Sequence, residues 1–600
     1  MTKSLYALRR GASDAASSHA LGDFTADRRI LVLVAMALVV GAGGVLGAWA
    51  LLKLIALASN LIWLGRASTA AMSFAEVRPS AWMVAAPAIG GLVIGLMARF
   101  GSEKIRGHGI PEAIEAILIG GSRMSAKVAV LKPLSSAVAI GSGGPFGAEG
   151  PIIMTGGALG SLFAQLFHLS AAERKTLLVA GAAAGMTGVF GTPVAAVLLA
   201  VELLLFEWKP RSFLPVLTAV VVSTAIRPWL VGSGPLFPAV FTPDLSLLGL
   251  LLCIGVGVVA GLQSSLLTVL LYGAEDLFPK VRLHWMWWPA IGGLAVGAGG
   301  LIEPRALGVG YDVIHALLQG SLPIDEAGRL LLVKAAIWII ALASGTSGGV
   351  LAPLLILGGA LGAIEGHWLP GSPGYWALIG MAGMMSGTMR APLTGSLFAV
   401  ELTGQFNVLL PVLAASGAAY GVTVLLMKRS ILTEKIARRG VHITREYSVD
   451  PFQLMRVRDV MVTEVETLQS GLPIDEAVAF FTSETPRHKS YPVVDAHGLA
   501  VGMAPRAEIL RWMTEGAHEG QTLGEVVSDA GMVRARPDEL VGRLAEQMIE
   551  RDVGRVPVVD DRGRLVGLVT RKDLLRVHAR QKAQESEREG MIRPGRAQIA

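Results

Sequence analysis

The chain has 600 residues, 52% of them hydrophobic and 16% charged, with a formal net charge of +6. Ordinary soluble domains carry about 25% charged residues, so a soluble globular protein is excluded for most of the chain. A single cysteine, Cys253, excludes an intrachain disulfide framework, and no basic–aromatic pattern points to nucleic acid.

Residues 1–28 are mixed and polar, without the short apolar core and cleavage site of a secretory signal. They read as a cytoplasmic tail. From residue 29 the character changes. Stretches 30–52, 245–274 and 335–364 contain no charged residue. Each exceeds the roughly 20 residues needed to cross a hydrocarbon layer, which predicts an all-α polytopic membrane domain over 29–440. Basic residues flank it on both sides: Arg9, Arg10, Arg28 and Arg29 before it, then Lys428, Arg429, Lys435, Arg438 and Arg439. The positive bias of cytoplasmic segments puts both termini in the cytoplasm, with the inner (plasma) membrane of a cell as the expected location.

The membrane region repeats itself. "AAGMTGVFGTPVAAVLLAVEL" (183–203) aligns with "AGMMSGTMRAPLTGSLFAVEL" (382–402), pairing Gly188 with Gly387, Pro193 with Pro392 and Glu202 with Glu401. "GSGGPFGAEGP" (141–151) aligns with "ASGTSGGVLAP" (343–353), and "GHGIPEAI" (107–114) with the fainter "GVGYDVI" (308–314). Three matched blocks in one order predict two halves, over about 80–235 and 283–438. Transporters often carry such repeats, with the binding site where Gly/Pro-interrupted segments of both halves meet.

Interrupted segments leave backbone N–H groups without intrahelical partners, which lipid does not tolerate unless something else binds them. A helix N-terminus offers such donors and a partial positive charge, which suits an anion. Gly107, His108, Gly109, Ile110 and Pro111 form one such start. Gly147, Ala148, Gly150 and Pro151 form a second, and Gly349, Val350, Leu351, Ala352 and Pro353 a third. Converging, they would cage a small dehydrated anion and still release it. Glu149 is a lone carboxylate among these glycines. An intramembrane acid is a functional hypothesis by default. Ionised, it would sit where the anion sits; protonated or displaced, it would swing away. Lys132 is a second charge in an apolar setting, read as setting a positive potential on the path or as snorkelling to the interface.

After Gly440 charges become frequent. "SYPVVDAHGLAVGMAPRAEILR" (490–511) aligns with "RVPVVDDRGRLVGLVTRKDLLR" (555–576) at an offset of 65. Each copy reads as strand, acidic turn, strand, capped helix, within a β-α-β-β-α unit. Their expected extents are 455–515 and 522–578, with a flexible tail over 579–600.

The GHGIP segment, the GAEGP segment around Glu149, the GVLAP segment and the soluble tandem pair together resemble the CLC chloride channel and transporter family with C-terminal CBS domains. The likeness covers about residues 30–578. It implies two inverted halves of tilted, broken helices, followed by an α/β CBS module. It further implies a homodimer with one pore per subunit, chloride or a similar small anion as cargo, protons as a second cargo in exchangers, and a gating role for Glu149. The departures are specific. His108 stands where the family usually has serine, Leu351 where it has phenylalanine, and Leu432 where a tyrosine hydroxyl meets the anion. A His ring N–H can substitute for the serine, or bond the backbone instead. The family's inner proton-relay glutamate aligns with Leu203, leaving Glu202, one residue early, as a candidate proton path and equally as a structural residue matched by Glu401.

Tandem CBS repeats resemble modules that bind adenine nucleotides. On that resemblance Thr570 would meet phosphate and Asp573 ribose, whereas the first copy has Pro505 and Glu508 at those places. The same Thr and Asp also read as an ordinary helix cap, and the pair as a dimer brace. No cofactor is required by the reading and no resident metal is expected. The competing readings are a membrane-anchored CBS nucleotide sensor, which would need no broken helices, and a CBS-regulated divalent-cation transporter, which would need clustered acids. An enzyme finds no support: no His and Asp pair with Ser142.

Overall fold

The structure, a computed structural model, describes residues 28–440, 452, 455–483, 488–527 and 532–577. Two compact units divide the chain, 1–445 and 446–600. The expected terminal tails lie outside the described residues, apart from Arg28.

Among the described residues, every regular element of the first unit is a helix, apart from isolated bridges. Six of its described helices are long and apolar enough to cross a membrane by length and composition. Their outward faces are greasy: Leu31, Leu247, Leu248 and Leu425 are exposed. Small residues pack inside instead, as expected where lipid supplies no hydrophobic drive between helices. Interface-type starts are closed by side chains. Ser170 and Glu173 form a capping box, and Ser246 and Ser372 cap Leu247–Leu277 and Pro373–Met389.

Eight helices of the first half have counterparts in the second, in the same order. Arg29–Leu64 corresponds to Leu247–Leu277, Ala81–Phe100 to Trp288–Ile302, and Ile110–Leu118 to Tyr311–Leu318. Ala126–Gly141 corresponds to Ile324–Ala343, Glu149–Gln165 to Leu351–Glu365, and Ala171–Phe190 to Pro373–Met389. The segment Pro193–Leu205 matches Pro392–Thr403, and Pro210–Leu230 matches Leu409–Leu426. The duplicated unit therefore begins earlier than the residue-80 and residue-283 starts that the motifs suggested. Long uniform apolar helices carry no glycine–proline signature, so these first members escape motif matching.

The halves are related by a two-fold axis. A Cβ on Gly91 would strike the Pro289 carbonyl, and a Cβ on Gly293 the Pro87 carbonyl. Residue i meets j and the counterpart of j meets that of i, which is the mark of an isologous contact. The two helices run antiparallel there. Gly147 and Gly349 also pair antiparallel, with N–H···O distances of 3.0 and 2.8 Å. The halves thus pass through the layer in opposite directions.

The second unit contains two β-α-β-β-α copies, as the repeat predicts. In the first, β1 (Leu468–Gln469) pairs parallel to β2 (Ser490–Val494), which pairs antiparallel to β3 (Ala500–Pro505). In the second, β4 (Arg555–Val559) and β5 (Leu565–Thr570) are antiparallel, and the opening strand shrinks to a bridge at Ala535. Helices Ile474–Thr482 and Val541–Glu550 occupy equivalent places. Asp495 and Asp560 each accept two backbone N–H bonds across their turns, at 2.8–2.9 Å, and those amides, chiefly that of Arg564, hold the Asp560 carboxyl below its usual range.

Candidate functional site

Three helix starts meet in the first unit. Gly107 bridges to Ser347, and Gly147 to Gly349. Gly348 N–H reaches the Gly107 carbonyl at 3.4 Å. A Cβ on Gly109 would lie 2.9 Å from the Gly150 carbonyl oxygen, so the first and second segments come backbone to backbone there. Gly107 and Gly109 hold φ of 77° and 89°, in the left-handed region that favours glycine. Helices Ile110–Leu118, Glu149–Gln165 and Leu351–Glu365 begin here, and in none of them does the N-cap residue's own side chain close the start. Pro111, Pro151 and Pro353 sit in their first turns, where a missing N–H costs nothing. Three helix starts are therefore packed together in the buried interior.

The Glu149 carboxylate lies between the second and third of these segments. Glu149 is fully buried, and its Oε1 accepts the Ala352 N–H at 3.0 Å. Its Oε2 has no hydrogen-bond partner among the described residues. A Cβ on Gly349 would lie 2.5 Å from that oxygen, so glycine is what lets the acid lie against the third segment. The acid from one half thus takes a helix-start amide from the other.

His108 is 3% exposed, and neither ring nitrogen has a partner among the described residues. The ring is not tied to the backbone, which leaves a donor available. Lys435 and Glu112 lie within electrostatic reach of it. The Lys435 ammonium pairs with Glu112 at 3.1 Å, Arg439 with the same carboxylate at 3.1 Å, and Arg439 also with Glu115. Glu112, Lys435 and Arg439 border a cavity of about 620 Å³. Leu432 is buried within the apolar core, while the hydroxyl of Tyr272 bonds its neighbour, the Ile431 carbonyl.

Lys132 does not snorkel. It is 0% exposed and donates to the carbonyls of Ile105 and Gly107 at 2.9 and 2.7 Å. The charge braces the entry of the first segment from inside. Lys334, which sequence reading missed, does the same in the second half, bonding Ala306 and Gly308 at 2.9 Å each. The signal was present as an offset of 202 between "VLKPL" and "LVKAA". Ser135 and Ser136 both reach Ser347 Oγ at 3.1 Å, fastening the third segment to the Lys132 helix; only the "LKPLSS" run hinted at it.

Glu202 and Glu401 exchange caps. Glu202 accepts the N–H groups of Leu393 and Thr394 at 3.3 and 2.8 Å, and the Thr394 hydroxyl at 2.5 Å. Glu401 accepts those of Val194 and Ala195 at 3.0 and 2.8 Å. Each acid closes the opposite half's helix start. Leu203 is buried in the apolar core.

In the second unit Thr570 and Asp573 bond each other. Thr570 N–H and Oγ1 donate to Asp573 Oδ2 at 3.0 and 2.6 Å. This is a cap, and the acid is already committed to it.

Against known proteins, residues 90–424 match the family described as "Voltage gated chloride channel", and residues 457–515 and 524–580 match the CBS domain. The voltage-gated ClC-type chloride channel ClcB of Salmonella typhimurium is 32% identical over 362 residues, 58% of this chain and 86% of that one. The H(+)/Cl(-) exchange transporter ClcA of Cronobacter sakazakii is 30% identical over 332 residues, covering 53% and 71%. A solved eukaryotic CLC transporter is similar in fold, with TM-score 0.57 at 20% identity over 90% of this chain and 98% of that one. With three broken segments packed together around a buried acid's helix start and the family match spanning more than half its length, the chain belongs to the voltage-gated chloride channel family.

Proposed function

We propose that this integral membrane protein moves chloride or a similar small inorganic anion through a pore gated by Glu149. One observation carries the reading: a buried carboxylate accepts a helix-start N–H from the opposite half, where three helix starts pack together. A carboxylate oxygen there stands in for the anion. Chloride entering the seat would take the Ala352 amide and the partial positive charge of the helix starts, and would displace the acid. Protonation would release the acid without an anion. The unpartnered His108 ring offers a side-chain donor to the same ion, and the Lys435 and Arg439 cations border a cavity suited to gathering anions.

Proton coupling rests on Glu149 alone in this reading. Leu203 cannot carry a proton, and Glu202 is engaged as a cap. These features support a passive or loosely coupled flux. The proposal extends to a homodimer with a pore in each subunit, to both termini on the cytoplasmic side of an inner membrane, and to an adenine nucleotide held by the CBS pair. For the last, ATP should bind the full-length protein and Thr570→Ala should weaken it several-fold; absence of saturable binding leaves a structural brace.

Purified protein in chloride-loaded liposomes tests the main reading, with chloride efflux and proton uptake recorded together. Uphill proton uptake driven by chloride marks an exchanger, and chloride flux alone a channel. Glu149→Gln should keep chloride flux and abolish any proton uptake. Undiminished uptake in that variant removes Glu149 from the gate, and no chloride flux from the parent protein removes the function.

A further inference from the structure

Each half carries two matched glycines before a short helix, Gly107 and Gly109 in one and Gly308 and Gly310 in the other, but the next residue differs: Ile110 against Tyr311. Tyr311 opens its helix directly behind Gly310, which holds a φ of 77°. Its ring lies edge-on to Phe237, with centroids 5.7 Å apart. Its hydroxyl is buried and has no hydrogen-bond partner among the described residues. Glu149 Oε2, the carboxylate oxygen not taken by Ala352, is in the same condition. The two groups lie within electrostatic reach of one another. Tyr311 and Ala148, the chain neighbour of Glu149, line one cavity of about 590 Å³. That cavity shares no lining residue with the one bordered by Glu112 and Lys435.

Two buried orphans, one lining this cavity and the other next in the chain to a residue that lines it, call for an explanation, because buried polar groups are nearly always paired. When an anion takes the Ala352 amide, the carboxyl must leave. It then needs a partner in either protonation state. A phenol donates to a carboxylate and accepts from a protonated carboxyl. We infer that the Tyr311 hydroxyl is the hydrogen-bond partner that receives the Glu149 carboxyl when an anion occupies the seat at Ala352. The inference rests on the gating role proposed for Glu149. Tyr311 is a positioning residue: it holds the open state of the gate and is supplied by the half that lacks the acid.

Chloride efflux from liposomes tests it with Tyr311→Phe, Glu149→Ala and the double variant, all in the full-length protein. Phenylalanine keeps the ring against Phe237 and removes only the hydroxyl. Loss of one hydrogen bond in the open state should slow efflux roughly five- to tenfold when Glu149 is present. In the Glu149→Ala background the same change should do nothing further. Equal slowing in both backgrounds would make the hydroxyl an anion ligand or a packing element and overturns the inference. So does an unaltered rate in Tyr311→Phe when Glu149→Ala alone changes flux. If Glu149→Ala itself leaves chloride and proton movement as in the parent, the gating role falls, and this inference with it. Infrared difference spectra give a second readout independent of rate. The C=O stretch of protonated Glu149, identified by its loss in Glu149→Ala, should move to higher wavenumber in Tyr311→Phe, and an unmoved band overturns the assignment.

Discussion

The two halves of the membrane unit share a scaffold and differ at three side chains that matter. Position for position, Glu149 stands against Leu351, His108 against Val309, and Ile110 against Tyr311. The braces, by contrast, are kept in both. Lys132 and Lys334 each bind two carbonyls at the entry of the first motif, and Glu202 and Glu401 each close the other half's helix. On the proposed function, symmetry builds the cage and asymmetry gates it. Backbone geometry was duplicated and retained, whereas the acid, the imidazole and the phenol each occur once.

That comparison can be broken where it is sharpest. Glu149→Leu makes the first half resemble the second. Any proton uptake should fall to background while chloride continues to move, measured with paired electrodes on liposomes; persistent uptake would place the gate elsewhere. The shared braces come next. Lys132→Met or Lys334→Met strands two buried carbonyls, each costing about 1–3 kcal/mol. Thermal unfolding in detergent should drop comparably for both. Chloride affinity should weaken only for Lys132→Met, because only that lysine lies within electrostatic reach of His108. Equal loss of affinity would make both of them scaffold alone.

The exchanged caps should show a smaller effect. Glu202→Gln and Glu401→Gln each keep an acceptor oxygen but lose its charge, at about 1 kcal/mol apiece. The two melting shifts should match and the proton-to-chloride ratio should not move. A ratio changed by Glu202→Gln alone returns that residue to the proton path. The smallest expected change is in selectivity. His108→Ser should alter the nitrate-to-chloride flux ratio by a few-fold, roughly one hydrogen bond's worth, and an identical ratio makes the imidazole a bystander.

Much of this was readable along the chain because glycine and proline act locally. They mark where a helix must start, and three such marks in repeated order announce a site at the meeting of two halves. The acid stands out because lipid makes any charge conspicuous. The sequence was less informative about lysines. Lys132 reads equally as a snorkelling charge or a path charge, and its real role depends on the Ile105 and Gly107 carbonyls arriving from another segment. Lys334 passed unnoticed for the same reason. Glu202 read as a candidate relay because its partner amides at Leu393 and Thr394 lie far along the chain. The opening helices of each half went unpaired because an apolar run repeats without a motif.

By itself the sequence determined a polytopic membrane domain, its duplication, the three helix starts, the single acid among them and the soluble β-α-β-β-α pair. These follow from short-range rules: apolar length, glycine and proline backbone preferences, and strand alternation. Only the tertiary structure decided that the halves cross antiparallel at Gly147 and Gly349, that the Glu149 carboxylate reaches the Ala352 amide, and which residues are braces and which are left unpartnered. Whether a buried polar group finds a partner is fixed by residues from 25 to 207 positions away, on other elements, and no local pattern encodes it.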